Sequence, residues 1–187
     1  MRMFDLRTVL FLALSLSACA TLPPTPATPY LPPGVYGVYL DNASGAIDQS
    51  AWAFASPANT RNNPVAAAKA VVALEFLSGE LRENPRWVSM DFGTKLRIAQ
   101  ARDDLRRIVG IRPDAPPQAV VNALLLLAEG LQFGNQAEAA QALTSPVFTG
   151  PPPETLQRLS NLPYDQTANL ATARAGAQVL PVGGNRG

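Results

Sequence analysis

The sequence predicts an all-α protein: an irregular bundle of five to six helices behind a proline-rich extended segment. Three observations carry this. From residue 64 onward, apolar residues recur at helical spacing in stretches of about 10–20 residues. Those stretches are separated by prolines or glycines, at Pro85, Gly110, Pro116-Pro117, Gly134 and Pro151-Pro152-Pro153. Only one short stretch, Gly34-Val35-Tyr36-Gly37-Val38-Tyr39-Leu40, has the β-branched and aromatic character of a strand, and it has no evident partner strand. The chain accordingly divides into a leader (1–18), a tether (19–34), an irregular aromatic segment with a short strand or helix (35–63), a helical bundle (64–180) and a disordered tail (181–187).

Met1 to Ala18 reads as an export leader. Arg2 and Arg7 make its start positive, Asp5 partly offsets them, and Thr8 to Leu16 is almost wholly apolar. Residues 8–16 are far short of the ~20 that a helix needs to span a bilayer, and they fit the apolar region of a leader. The run ends in Leu16-Ser17-Ala18-Cys19. An aliphatic residue, a small residue, Ala or Gly, then Cys is the pattern of a lipobox, and here residues 1–19 resemble the precursors of bacterial lipoproteins. The resemblance implies cleavage between Ala18 and Cys19, a diacylglycerol on the Cys19 sulfur and a further acyl chain on its freed amine. The thiolate is nucleophilic enough to take a lipid as a thioether. Each buried CH₂ adds about 0.8 kcal/mol, so two or three chains hold a protein far better than one. Ala20 stands where lipoproteins retained in the inner membrane often carry Asp. Its identity resembles the outer-membrane kind, facing the periplasm. Beyond residue 19 the sequence carries no family resemblance.

Pro23, Pro24, Pro26, Pro29, Pro32 and Pro33 follow. Proline fixes φ and removes a donor, so this stretch reads as an extended tether reaching roughly 45 Å at about 3.1 Å per residue. Asp41 to Gly45 has turn chemistry, Asp48 to Ala55 reads as a brief helix, and Ser56 to Asn63 reads as a loop.

Asn63-Pro64 starts a helix expected to reach Glu83, with a capping amide followed by proline at the first helical position. Its main stripe is Ala67, Ala70, Val71, Leu74, Leu77 and Leu81. Val65, Val72 and Phe76 fall nearly opposite at 100° per residue, so the helix is either sandwiched or carries a docking patch. A second helix is expected over Ser89 to Val109, stopped by Gly110. Its stripe is Ile98, Ala101, Leu105, Ile108 and Val109. Arg97, Arg102, Asp103, Asp104, Arg106 and Arg107 decorate the later turns, with Asp103 and Arg107 spaced as an i,i+4 pair. A third, from Asp114–Pro117 to Leu131, is apolar nearly all round and reads as the central core helix. Shorter helices are expected at 136–143, 154–161 and 165–179. No period near 34 residues marks tetratricopeptide repeats.

Composition narrows the chemistry. The chain has one cysteine and no histidine, so it holds no Ser-His or Cys-His nucleophile pair, no Cys/His zinc site and no internal disulfide. There is no phosphate-cradling glycine loop and no calcium-loop spacing, so no cofactor or metal is expected. Removing Met1 to Ala18 takes away Arg2, Arg7 and Asp5 and leaves equal acidic and basic counts, which offers no field for nucleic acid. Acid–base work would fall to Glu75, Glu80, Glu83, Asp91, Asp103, Asp104, Glu129 and Glu138. Glu75 and Glu129 stand among apolar neighbours, a setting that raises a carboxyl pKa. The favoured reading of each is a surface residue whose head reaches water. A single glutamate on a helix resembles the lytic transglycosylases, but theirs is followed by Ser and Gly-rich segments. Here Leu81 and Arg82 follow Glu80, so that activity is not carried over.

The expectation is therefore a lipid-anchored envelope protein with no catalytic residues and a helical interaction or structural module. It would be held to the membrane through Cys19 and would meet an envelope protein partner. Val65, Val72, Phe76, Tyr36, Tyr39 and Trp52 are the candidate docking residues, since tyrosine and tryptophan favour interfaces. The alternatives are a carboxylate-dependent envelope glycan hydrolase and a carrier of a small apolar ligand.

Overall fold

The structure is a computed structural model that describes residues 27–37 and 41–179. Seven helices are present among them: α1 Asn42–Ala55, α2 Pro64–Glu83, α3 Phe92–Val109, α4 Pro117–Gln132, α5 Gln136–Leu143, α6 Pro152–Ser160 and α7 Gln166–Val179. The all-α bundle is as expected, with more helices than the five to six inferred. The described residues contain no strand, only an antiparallel bridge between Ile111 and Phe148. The leader, Cys19, Tyr39 and the tail 181–187 lie outside the described residues.

Local chemistry sets the helix ends. The Asn63 side chain accepts from the Ala66 N–H and Pro64 opens α2, as the sequence indicates. Asp91 accepts from the Thr94 N–H, so α3 starts at Phe92 rather than Ser89. Gly110 ends α3 at φ +83°, a left-handed conformation that favours glycine. Asp41 accepts from the Ser44 N–H and draws α1 back to Asn42. The stretch 41–45, read as a turn, is thus a cap and a first helical turn. The Gly34–Gly37 stretch, read as strand-like, closes a turn through Gly37 N–H to Gly34 O at 3.0 Å. Both of its glycines have positive φ, which no strand accommodates.

Helix α2 is the hub. It packs against α1, α3 and α4 and touches α6, while α7 bridges α1 and α3 to close a four-helix ring. Helix α4 lies on α2 and carries α5. This corrects the placing of the 114–131 helix at the centre: Asn122 and Glu129 of α4 are exposed, whereas α2 is buried from Ala66 to Gly79 except at Lys69. Alanines at 66, 67, 68, 70 and 73 let neighbours approach α2 closely. Leu74, Leu77 and Leu81 are fully buried, each worth about 1.5–3 kcal/mol.

One end of the bundle collects the starts of α1 and α3 and the ends of α2 and α7. Arg86, just past α2, pairs with Asp41 at 3.2 Å, and the Asp91 N–H donates to Gln178 at 2.8 Å. The N-terminal segment joins the bundle here. Thr28 donates to Glu83 at 2.6 Å, and Asn42 donates to the Leu31 carbonyl at 2.9 Å. Gln118 grips the Tyr30 backbone twice, accepting from its N–H at 2.7 Å and donating to its carbonyl at 3.2 Å. Leu31 is buried in the core. From residue 27 on, the expected tether is therefore a strap along the surface of the bundle. An extended proline-rich backbone has no internal hydrogen bonds, so its free polar groups are open to side chains of the bundle.

Candidate functional site

Of the carboxylates singled out, Glu75 has the most distinctive surroundings. It has no exposed surface. Arg106 Nε donates to one oxygen at 2.6 Å and Nη2 to the other at 2.7 Å. Arg106 Nη1 donates to the carbonyls of Ala115 at 2.9 Å, Pro113 at 3.0 Å and Arg112 at 3.3 Å. Burial pushes the Glu75 carboxyl above its ordinary value, opposed by the guanidinium that faces it. Two expectations are corrected. Glu75 does not reach water, and Arg106 is not a surface decoration. Both oxygens of Glu75 are occupied, which leaves no face for a substrate. The pair ties α2, the end of α3 and the segment leading into α4 into one corner. Among the described residues no buried side-chain polar atom lacks a partner.

The other carboxylates are spread over the surface. Glu80 accepts from the Trp87 indole at 3.0 Å and from Asn84 at 2.8 Å, and Glu83 holds the strap through Thr28. Asp91 caps α3, and Asn135 donates to Glu138 at 3.2 Å. Asp103 pairs with Arg102 and Asp104 with Arg107, which replaces the expected Asp103–Arg107 pair. Among the described residues no three His, Cys, Asp or Glu side chains are grouped to hold a metal ion.

The docking candidates separate. Val72 and Phe76 belong to the buried core, and Val65 and Tyr36 pack half-buried against it. Helix α2 is thus sandwiched, the first of the two options its pattern allowed. The strap lies over that side: the Tyr36 hydroxyl donates to the Lys69 carbonyl at 3.2 Å, and burial pushes its phenol well above the ordinary range. Trp52 alone of the described candidates is exposed, at 47%.

The strap also frames a hollow of about 220 Å³, lined by Pro32, Val35, Lys69, Leu125, Glu129 and Phe133 among others. It combines apolar walls with one amine and one carboxylate. Sequence reading had no route to it, because its outer wall is the stretch taken for a free tether.

Fold and site together define a helical bundle in which no described helix is long and apolar enough to cross a membrane. No family model, curated protein or solved structure matches the chain.

Proposed function

We propose that this protein is a bacterial lipoprotein, anchored through lipid on Cys19, whose bundle serves the cell envelope as a non-catalytic interaction or structural module. The observation that carries the proposal is Leu16-Ser17-Ala18-Cys19 in register behind a short apolar run with basic residues at its start. The attachment of residues 27–37 to the bundle supports it, because it brings the folded part close behind the anchor. The engagement of Glu75 by Arg106 supports a structural role for the most buried carboxylate. With Ala20 after the cysteine, the anchor belongs to the outer membrane and the bundle to the periplasm.

The test is fractionation of the full chain expressed with its own leader in a bacterium that processes lipoproteins. The wild type sediments with membranes and is released by detergent, whereas Cys19→Ser leaves the membrane fraction or accumulates uncleaved. Equal partitioning of the two chains, with Cys19→Ser cleaved as the wild type is, overturns the proposal.

A further inference from the structure

We infer that the hollow under the strap is a binding site for a single α-amino acid with an aliphatic side chain, its carboxylate on Lys69 and its ammonium on Glu129. The site goes beyond the module proposed above and holds whether or not Cys19 carries lipid. Three observations carry it.

The first is charge. Among the described residues every carboxylate except that of Glu129 has a hydrogen-bond or ion-pair partner. The Lys69 ammonium has no such partner among them either, and the two groups do not pair with each other although both line the one hollow. Lys69 is also the one residue of α2 between Ala66 and Gly79 that is not buried. An ammonium set into an otherwise sealed helix, partly out of water, is costly unless an anion meets it. Opposite charges held apart on two packed helices are complemented by a molecule that carries both signs.

The second is size. The hollow of about 220 Å³ has room for roughly seven waters at about 30 Å³ each. It is smaller than the ~300–1,000 Å³ of pockets that take drug-sized ligands. A zwitterion that small has its two charges close together, as an α-amino acid does.

The third is the rest of the lining. Pro32 and Val35 of the strap face Leu125 and Phe133 across the hollow's charged pair, which suits a branched aliphatic side chain. The strap wall is held in place by the Tyr36 hydroxyl on the Lys69 carbonyl at 3.2 Å and by buried Leu31. Apolar walls around a few placed polar groups are the composition of small-ligand sites.

The test titrates the full chain with L-leucine by calorimetry, beside Lys69→Met and Glu129→Gln. Neither side chain has a partner to lose, and Lys69→Met keeps the carbonyl that Tyr36 uses, so both variants keep the fold, which circular dichroism checks. The expected result is saturable one-site binding to the wild type at millimolar leucine or below, weakened about tenfold or more in each variant. Isocaproate, which lacks the amine, and isopentylamine, which lacks the carboxylate, are expected to bind the wild type more weakly than leucine by a similar factor. No saturable binding of leucine, isoleucine or valine overturns the inference. Unchanged affinity in both variants places the ligand elsewhere and overturns it too. Loss in only one variant, or a truncated ligand that binds as well as leucine, overturns the zwitterion. Tighter binding of leucyl-leucine than of leucine overturns the single amino acid in favour of a peptide end. None of these results bears on Cys19, whose modification is read from the N-terminal peptide.

Discussion

Arg106 closes on Glu75 across two helices, guanidinium flat against carboxylate, in a site where the two side chains are 3% and 0% exposed. Desolvating both charges is costly, and the twin hydrogen bonds offset much of that cost. The third arm distinguishes this pair from an isolated ion pair. By donating to the carbonyls of Arg112, Pro113 and Ala115, Arg106 also fixes the backbone that turns from α3 into α4.

Glu75→Gln is expected to destabilise the fold by about 3–5 kcal/mol, because it leaves a guanidinium buried without its counter-charge. Glu75→Leu combined with Arg106→Met is expected to recover part of that. It stays roughly 1–3 kcal/mol below wild type, since the three carbonyls lose their donor. Denaturant unfolding of the three chains checks this. A double variant as stable as wild type would show that the carbonyl contacts carry no weight.

Acid sensitivity should come from the caps. Burial acts to raise Asp41, but hydrogen bonds from Ser44 and Arg86 outweigh it and hold the carboxyl below 3.8. Asp91 is held low by the Thr94 N–H and hydroxyl. Such groups stabilise the fold fully above their unfolded values, and the contribution is lost as pH falls through the folded ones. Asp41→Asn keeps a capping oxygen and removes the titration. Its stability–pH curve should therefore be flatter than wild type below about pH 4. Parallel curves would contradict the assignment.

Helices α4 and α5 meet at Gly130. A Cβ placed there would stand 2.6 Å from the Ala139 nitrogen and 3.1 Å from its Cα, both backbone atoms. Gly130→Ala should cost about 1–3 kcal/mol by overpacking, despite alanine's better helix propensity. Thermal melting decides it, and an unchanged or raised midpoint would mean that the two helices are free to separate.

The strap should detach without unfolding the bundle. Pro29 and Leu31 are its buried residues, and Gln118 holds the backbone of Tyr30 between them. In Leu31→Asp, hydrogen exchange should accelerate at the Tyr30 and Gly37 amides while α2 and α3 keep wild-type protection. Acceleration throughout would make the strap an integral part of the core.

How far the sequence reached depended on how local the signal was. The start of α2 at Pro64 was readable to the residue because a capping amide and the first helical position are adjacent in sequence. The start of α1 was hidden, because Asn42, Ser44 and Gly45 are poor helix formers and only the Asp41 cap commits them. The Glu75–Arg106 pair was hidden by distance, since the partners are 31 residues apart and each alone resembles a surface charge. Its trace was a carboxylate inside a helix apolar on two sides, which demands a partner. The strap went unseen for the reverse reason: prolines state what a backbone cannot do, while Leu31 and Gln118 decide where it lies.

The central claim, a lipid on Cys19, is tested most directly by the mass of the N-terminal peptide from the protein purified out of a lipoprotein-processing bacterium. The account predicts a peptide that begins at residue 19 and carries a diacylglyceryl thioether, with or without an amide-linked acyl chain. A peptide that retains Met1 to Ala18, or one with an unmodified thiol at residue 19, would contradict it.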